Sequence, residues 1–200
     1  MCLCKFKQVK LEEPVTVYKV LVKTEEGYVS PFHSFFWEQG VMNTNEDPIE
    51  VNETKARGEE VAGGVFHAYK YFEDAVYHLR GFRLGTCLTY EVAKLTIPAD
   101  AEVYEGVCGF GDKCYASVKM RLDEIVPVSD DDIKSVVHYK VLVNYGDSSW
   151  PQTKEEAEVM VNNELDRVKK VATLYDLDKE TMVSRLMETV DGYYKLKGWK

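Results

Sequence analysis

A chain of 200 residues can bury a full core without disulfide or metal, and its net charge of −9 argues against an electrostatic grip on nucleic acid, which needs a basic surface. A composition 45% hydrophobic and 30% charged is that of a soluble globular protein, and no apolar stretch approaches the ~20 residues of a membrane span. Met1-Cys2-Leu3-Cys4-Lys5 runs straight into charge without a secretory leader, so the five cysteines (Cys2, Cys4, Cys87, Cys108 and Cys114) are expected as reduced thiols in the cytoplasm. Cys2-x-Cys4 supplies half of a tetrahedral ligand set at most, and no metal is expected there.

Residues 1–14 read as a loosely packed arm ended by Pro14. Residues 15–23 are a β-branched strand with Val17 and Leu21 on one face and Tyr18, Val20 and Val22 on the other, which suggests a central place in its sheet. In the aromatic stretch 28–37, Phe32, Phe35 and Phe36 fall at i, i+3, i+4 and predict a short helical turn on the core. The same stretch could instead be a stacking platform for a planar ligand, with His33 and Trp37 one turn apart. Residues 43–60 are acidic and broken by Pro48 and Gly58, the composition of a solvated loop or lid.

Residues 63–117 read as one βαβ-type unit. Gly63-Gly64 permits positive φ or a close backbone approach, and 65–69 is a short strand. Phe72, Ala75, Val76 and Leu79 mark an amphipathic helix with Glu73-Asp74 in its first turn, stopped by Gly81. A strand over 87–97 follows, turned by Pro98-Ala99-Asp100, and Cys108 and Cys114 flank a glycine-rich hairpin tip, expected as a reduced pair. Residues 115–128 alternate as one strand. Glu124 alone breaks its apolar face: it is either a carboxylate in use or the product of a β-bulge at Asp123-Glu124.

Ser129 to Asp132 caps a turn, and the alternation over 137–143 predicts a half-buried strand. From Thr153 the period becomes helical. Thr153 and Glu156 form a capping box, and Ala157, Val161, Val168 and Ala172 lie on one stripe. A second helix starts at Asp178 and is stopped by Gly192. The expected architecture is α+β: a mixed, largely antiparallel sheet of five to seven strands (core 15–150), one short packed helix, and a C-terminal αα-hairpin (151–200) packed on the core.

His67, after paired glycines at a strand, is a reasonable catalytic address, though a hydrogen-bonded structural histidine is the ordinary reading. His78 is expected on the exposed side of its helix and His138 on the polar face of its strand. Cys87 and His67 could pair in space, with nothing to show an activated thiol. No Ser-His-Asp or zinc-hydrolase signature is present.

The chain resembles short proteins of phage and gut-bacterial type. The likeness rests on Met1-Cys2-Leu3-Cys4, the Tyr18-Lys19-Val20-Leu21 strand, Ser30-Pro31-Phe32, Trp37-Glu38, Phe66-His67, Ile97-Pro98, Tyr104-Glu105-Gly106 and Tyr115-Ala116-Ser117. It covers about residues 1–128 and implies no particular activity. In order of elements (the Tyr18 strand, the 64–68 strand, the 72–79 helix, the 92–98 strand and the 115–128 strand) the chain also resembles ADP-ribosyltransferase-type folds. Phe66-His67-Ala68 stands where those folds carry Ser-Thr-Ser.

Two functions are therefore expected as alternatives. One is a cytoplasmic binding or adaptor protein without cofactor, meeting a protein partner or a small nucleotide-like ligand, and neither nucleic acid nor membrane. The other, implied by the second resemblance, is an NAD- or nucleotide-using enzyme with Glu124 as the catalytic carboxylate and His67 near the ribose. That enzyme predicts a cleft where Tyr18, His67 and Glu124 converge. Phe32, His33, Trp37 and Gly64 complete the candidate ligand-binding set.

Overall fold

A computed structural model describes residues 3–32, 35–54, 58–85, 88–108, 111–145 and 153–199. The fold is α+β, and the chain divides into two compact units, Met1–Val128 and Ser129–Lys200. The division falls upstream of the expected break at 150, because 130–145 is helix and belongs with the helices that follow it.

The spine of the first unit is the pairing of β2 (Val15–Lys23) with β9 (Thr89–Ile97), antiparallel from Val15–Ile97 to Lys23–Thr89. β2 is central, as its two apolar faces predict: Val17, Val20, Leu21 and Val22 are all buried. Beyond β9 lie β12 (Lys119–Val126) and β5 (Met42–Thr44). Beyond β2 the order is β8 (Phe66–Tyr69), β11 (Lys113–Ser117), β10 (Val103–Cys108), β1 (Leu3–Val9), β7 (Gly58–Gly63) and β6 (Glu50–Thr54). β3 (Tyr28–Val29) pairs with β2 and with β4 (Phe36–Trp37).

β8 and β9 both run antiparallel to β2, so they are parallel to each other with β2 between them. The helix joining them, α1 (Phe72–Gly85), makes this a split βαβ unit. Phe72, Ala75, Val76 and Leu79 are all buried, in keeping with their spacing. Gly81 does not stop α1. It is exposed, with no atom within 4 Å of where a Cβ would stand, and the helix runs on through it.

Four further segments depart from the expected elements. Residues 3–9 are no loose arm: β1 is paired on both sides, with β10 and β7, and Leu3 is fully buried. The acidic stretch 43–60 carries strand structure in β5, β6 and β7; exposed Glu53 and Glu59 face each other across the β6–β7 ladder, charges that keep an edge from recruiting another chain. Phe36, expected in a turn of helix, lies instead in β4, where exposed Phe36 and buried Trp37 point to opposite faces. Residues 115–128 are two strands, because Ser117 Oγ accepts from Lys119 N (3.2 Å) and donates to Lys119 O (2.9 Å); β11 joins β8, and β12 crosses to β9.

The second unit holds α2 (Asp130–Tyr145), α3 (Lys154–Leu174) and α4 (Lys179–Lys197), each in contact with the other two. The strand expected at 137–143 is part of α2. Ile133, Val136 and Val137 are buried at i, i+3, i+4, and three aspartates in the first turn favour a helix start. Tyr139 donates its hydroxyl to Met182 O at 3.1 Å. The Thr153–Glu156 capping box is formed, and Asp178 caps α4. α4 continues past Gly192 to end at Gly198, which takes the left-handed conformation at φ 71°. Among the described residues no helix is long and apolar enough to cross a membrane.

Candidate functional site

Between β2 and β8 the described ladder has one pair, Tyr18 with Tyr69. Beyond it a cleft of about 500 Å³ opens, walled by Lys19 and Val20 of β2 and by the 62–67 segment. Gly64 makes the wall possible. It takes φ +71°, and a Cβ there would lie 2.2 Å from the Pro48 carbonyl oxygen, so only glycine lets the two segments approach.

Lys19 is the chemical centre of the cleft. Its Nζ donates to the His67 carbonyl oxygen at 2.6 Å, supplying a donor where the strand ladder has ended. Lys19 as a whole is half-buried, and its amine is desolvated. Burial brings the amine down from 10.5 to about 8, against a smaller opposing pull from Cys114. An amine near 8 is both a hydrogen-bond donor and, in its neutral fraction, a nucleophile.

His67 is buried, and its Nε2–H donates to Val61 O at 3.0 Å. The ring is thus tied to β7 while the backbone of the same residue holds Lys19. Phe32 stands at the mouth, 63% exposed, with its ring 5.7 Å from that of Phe82. Asp47 and Glu50, both exposed, also line the cleft, so a single ammonium inside faces two carboxylates at the rim.

Of the residues expected to form a site, Phe32, Gly64 and His67 do line this cleft. Three others are placed elsewhere. Trp37 is 1% exposed, donates to Ser30 Oγ at 2.8 Å, and packs on Phe35 and Phe66 as a core residue rather than a stacking platform. Tyr18 meets Phe72 of α1 edge-on at 5.5 Å. Glu124 sits at a register shift between β12 and β9, so the bulge is real, and it turns the carboxylate outward: its side chain is 54% exposed and 3.2 Å from Lys94 Nζ. β12 and β8 are three strand steps apart (β12, β9, β2, β8), roughly 14 Å at ~4.8 Å per step. Tyr18, His67 and Glu124 therefore do not converge. His33 and Cys87 lie outside the described residues.

Sequence reasoning passes over Lys19, although a lysine inside an otherwise apolar central strand is a usable signal. It also misplaces His78, expected on an exposed helix face. The His78 Nε2 lies 2.7 Å from Asp112 Oδ2, and its ring stacks on Tyr69 at 4.8 Å. The Cys108 thiol lies 3.7 Å from the same Asp112 oxygen. Burial works against charge on His78, but Asp112 and Cys108 beside it raise the imidazole to about 9.

Comparison of the chain with protein-family models, with curated proteins and with solved structures returned no match.

Proposed function

We propose that the Met1–Val128 unit is a binding module for a small planar ligand with a hydrogen-bonding edge, of nucleobase or nucleoside type, seated in the cleft between β2 and β8. The observation that carries this reading is the enclosed Lys19 ammonium, 2.6 Å from the His67 carbonyl, in a cleft of about 500 Å³ with aromatic rings at its mouth. That volume is of the order that small-molecule sites occupy (about 300–1,000 Å³).

Each wall selects a ligand property. Exposed Phe32, braced against Phe82, which itself stacks on Tyr90, offers a ring face to a planar group. Lys19 has donors to spare beyond the one it gives His67, and asks for a carbonyl or ring-nitrogen acceptor. Asp47 and Glu50 accept from amino groups on the opposite edge and repel phosphate. A neutral base or nucleoside meets all three demands, and a nucleotide meets them less well.

Titration of the protein with nucleobases, nucleosides and nucleoside monophosphates, followed by NMR, tests the reading. Saturable shifts at Lys19, Ser30, Phe32 and Phe82 are expected, stronger for nucleosides than for their phosphates. Lys19→Met should weaken binding by about tenfold or more, the loss of one buried polar contact worth ~1.4 kcal/mol. Absence of saturable shifts at those residues with every compound would sink the proposal.

A further inference from the structure

We infer that His78, Cys108, Asp112 and Cys114 form a binding site for a divalent transition metal of the zinc type. The four residues come from α1, the end of β10, the hairpin tip and the start of β11. One potential ligand atom each from His78, Cys108 and Asp112 lies within 4.8 Å of the other two. His78 Nε2 to Asp112 Oδ2 is 2.7 Å and Cys108 Sγ to Asp112 Oδ2 is 3.7 Å. A tetrahedral ion with bonds of about 2.0–2.3 Å sets its ligands roughly 3.3–3.8 Å apart. The ligand atoms of His78, Cys108 and Asp112 thus lie within about 1.5 Å of that spacing.

Cys114 is assigned as the fourth ligand: it is fully buried, and the neighbouring Cys108 thiol pushes its own thiol up. Neither cysteine is in a disulfide. Cys108 and Asp112 are also buried, at 3% and 5% exposure, while the His78 side chain keeps 14%, an entry path for an ion. Surface acidic clusters are common without a metal; a largely buried set of one imidazole, two thiols and one carboxylate is a different object.

The surroundings hold these groups in place. The tip is fixed by Cys108 N donating to Asp112 O (2.9 Å) and Gly111 N donating to Cys108 O (2.8 Å). Tyr69 lies flat against the His78 ring, 14° from parallel, and holds its plane. Buried Asp74 adds negative potential at Cys114. Nitrogen, two sulfurs and one oxygen suit zinc or cobalt far better than calcium or magnesium, which take oxygen ligands. On binding, the cation replaces both thiol protons and the proton between His78 and Asp112, and no oxidant or reductant is involved.

The test uses the full chain, purified under a non-coordinating reductant, stripped with a chelator, and titrated with cobalt(II) and then zinc(II). One cobalt per chain is expected, with thiolate-to-cobalt charge-transfer absorption and the intense visible bands of tetrahedral cobalt, all displaced by zinc. Cys108→Ser and Cys114→Ser should each diminish the charge-transfer band, and His78→Gln and the near-isosteric Asp112→Asn should each weaken zinc affinity. Losing a ligand should cost more than the 10–100-fold typical of an outer-shell partner. Circular dichroism of each variant separates loss of a ligand from loss of the fold. Substoichiometric cobalt, an octahedral spectrum without sulfur, or parent-like binding by folded Cys108→Ser and His78→Gln overturns the site. A charge-transfer band unchanged in folded Cys114→Ser overturns the four-ligand set.

Discussion

Lys19 Nζ lies 2.6 Å from the carbonyl oxygen of His67, a contact that spans the point where β2 and β8 stop pairing. The amine titrates at about 8 in the folded chain, against 10.5 for its ordinary value. Between those limits the unfolded chain holds more protons than the folded one, so stability rises with pH across the window. The burial cost is felt in full below pH 8, where the amine is charged in both states. The rise is at most about 3.5 kcal/mol, at ~1.4 kcal/mol per unit. Lys19→Met lacks this titration. Denaturant unfolding of parent and variant from neutral pH upward should show the parent gaining on the variant above pH 8; parallel curves would mean that the amine is not buried as a charge.

The same shift predicts reactivity. At neutral pH about a tenth of a lysine titrating near 8 is neutral amine, roughly 200–300-fold more than for an ordinary lysine. In competitive labelling with a trace of small acylating reagent, read by peptide mass spectrometry, Lys19 should reach half its limiting rate near pH 8. The exposed lysines should still be rising there. A saturating nucleoside should protect Lys19 alone. A Lys19 profile that tracks the exposed lysines would contradict the enclosed amine.

Glu124 offers the opposite expectation. Its side chain is 54% exposed and its partner Lys94 is 30% exposed, an arrangement in which water screens most of the attraction. Glu124→Gln should change unfolding free energy by at most about 0.5 kcal/mol and leave ligand binding in the cleft unaltered. Calorimetric titration of that variant with the best nucleoside checks the second half. A tenfold loss of affinity would return Glu124 to the site.

How far these relationships are legible in the sequence depends on their range. The α1 stripe, the two apolar faces of β2, the Thr153–Glu156 box and the Glu124 bulge are local patterns, and periodicity or its interruption reveals them. Residues 137–143 mislead because a short apolar–polar alternation fits strand and helix alike, and only Ile133 and Val136 upstream settle the period. β1, β5, β6 and β7 are hidden by charge and by distant partners: Leu3 opposes Val61 and Cys108. The site is harder still. Lys19 meets His67 across 48 positions and His78 meets Asp112 across 34, and neither separation leaves a periodic trace.

Two glycines give a paired prediction of opposite sign. At Gly64 the backbone sits at φ +71°, and a Cβ would fall 2.2 Å from Pro48 O and 2.7 Å from Ile49 Cα, both backbone atoms that cannot rotate away. Gly64→Ala should therefore cost about 1–3 kcal/mol and displace the cleft wall. Gly81 lies inside α1, exposed, with nothing within 4 Å of a new Cβ. Gly81→Ala should stabilise the helix by up to about 1 kcal/mol, since alanine gives up less backbone entropy there and clashes with nothing. Denaturant unfolding measures both changes. NMR titration with a nucleoside should show binding lost in Gly64→Ala and kept in Gly81→Ala. A destabilised Gly81→Ala would mean that α1 ends before that position, and a neutral Gly64→Ala would mean that the 48–49 segment yields, so that glycine is not what shapes the wall of the cleft.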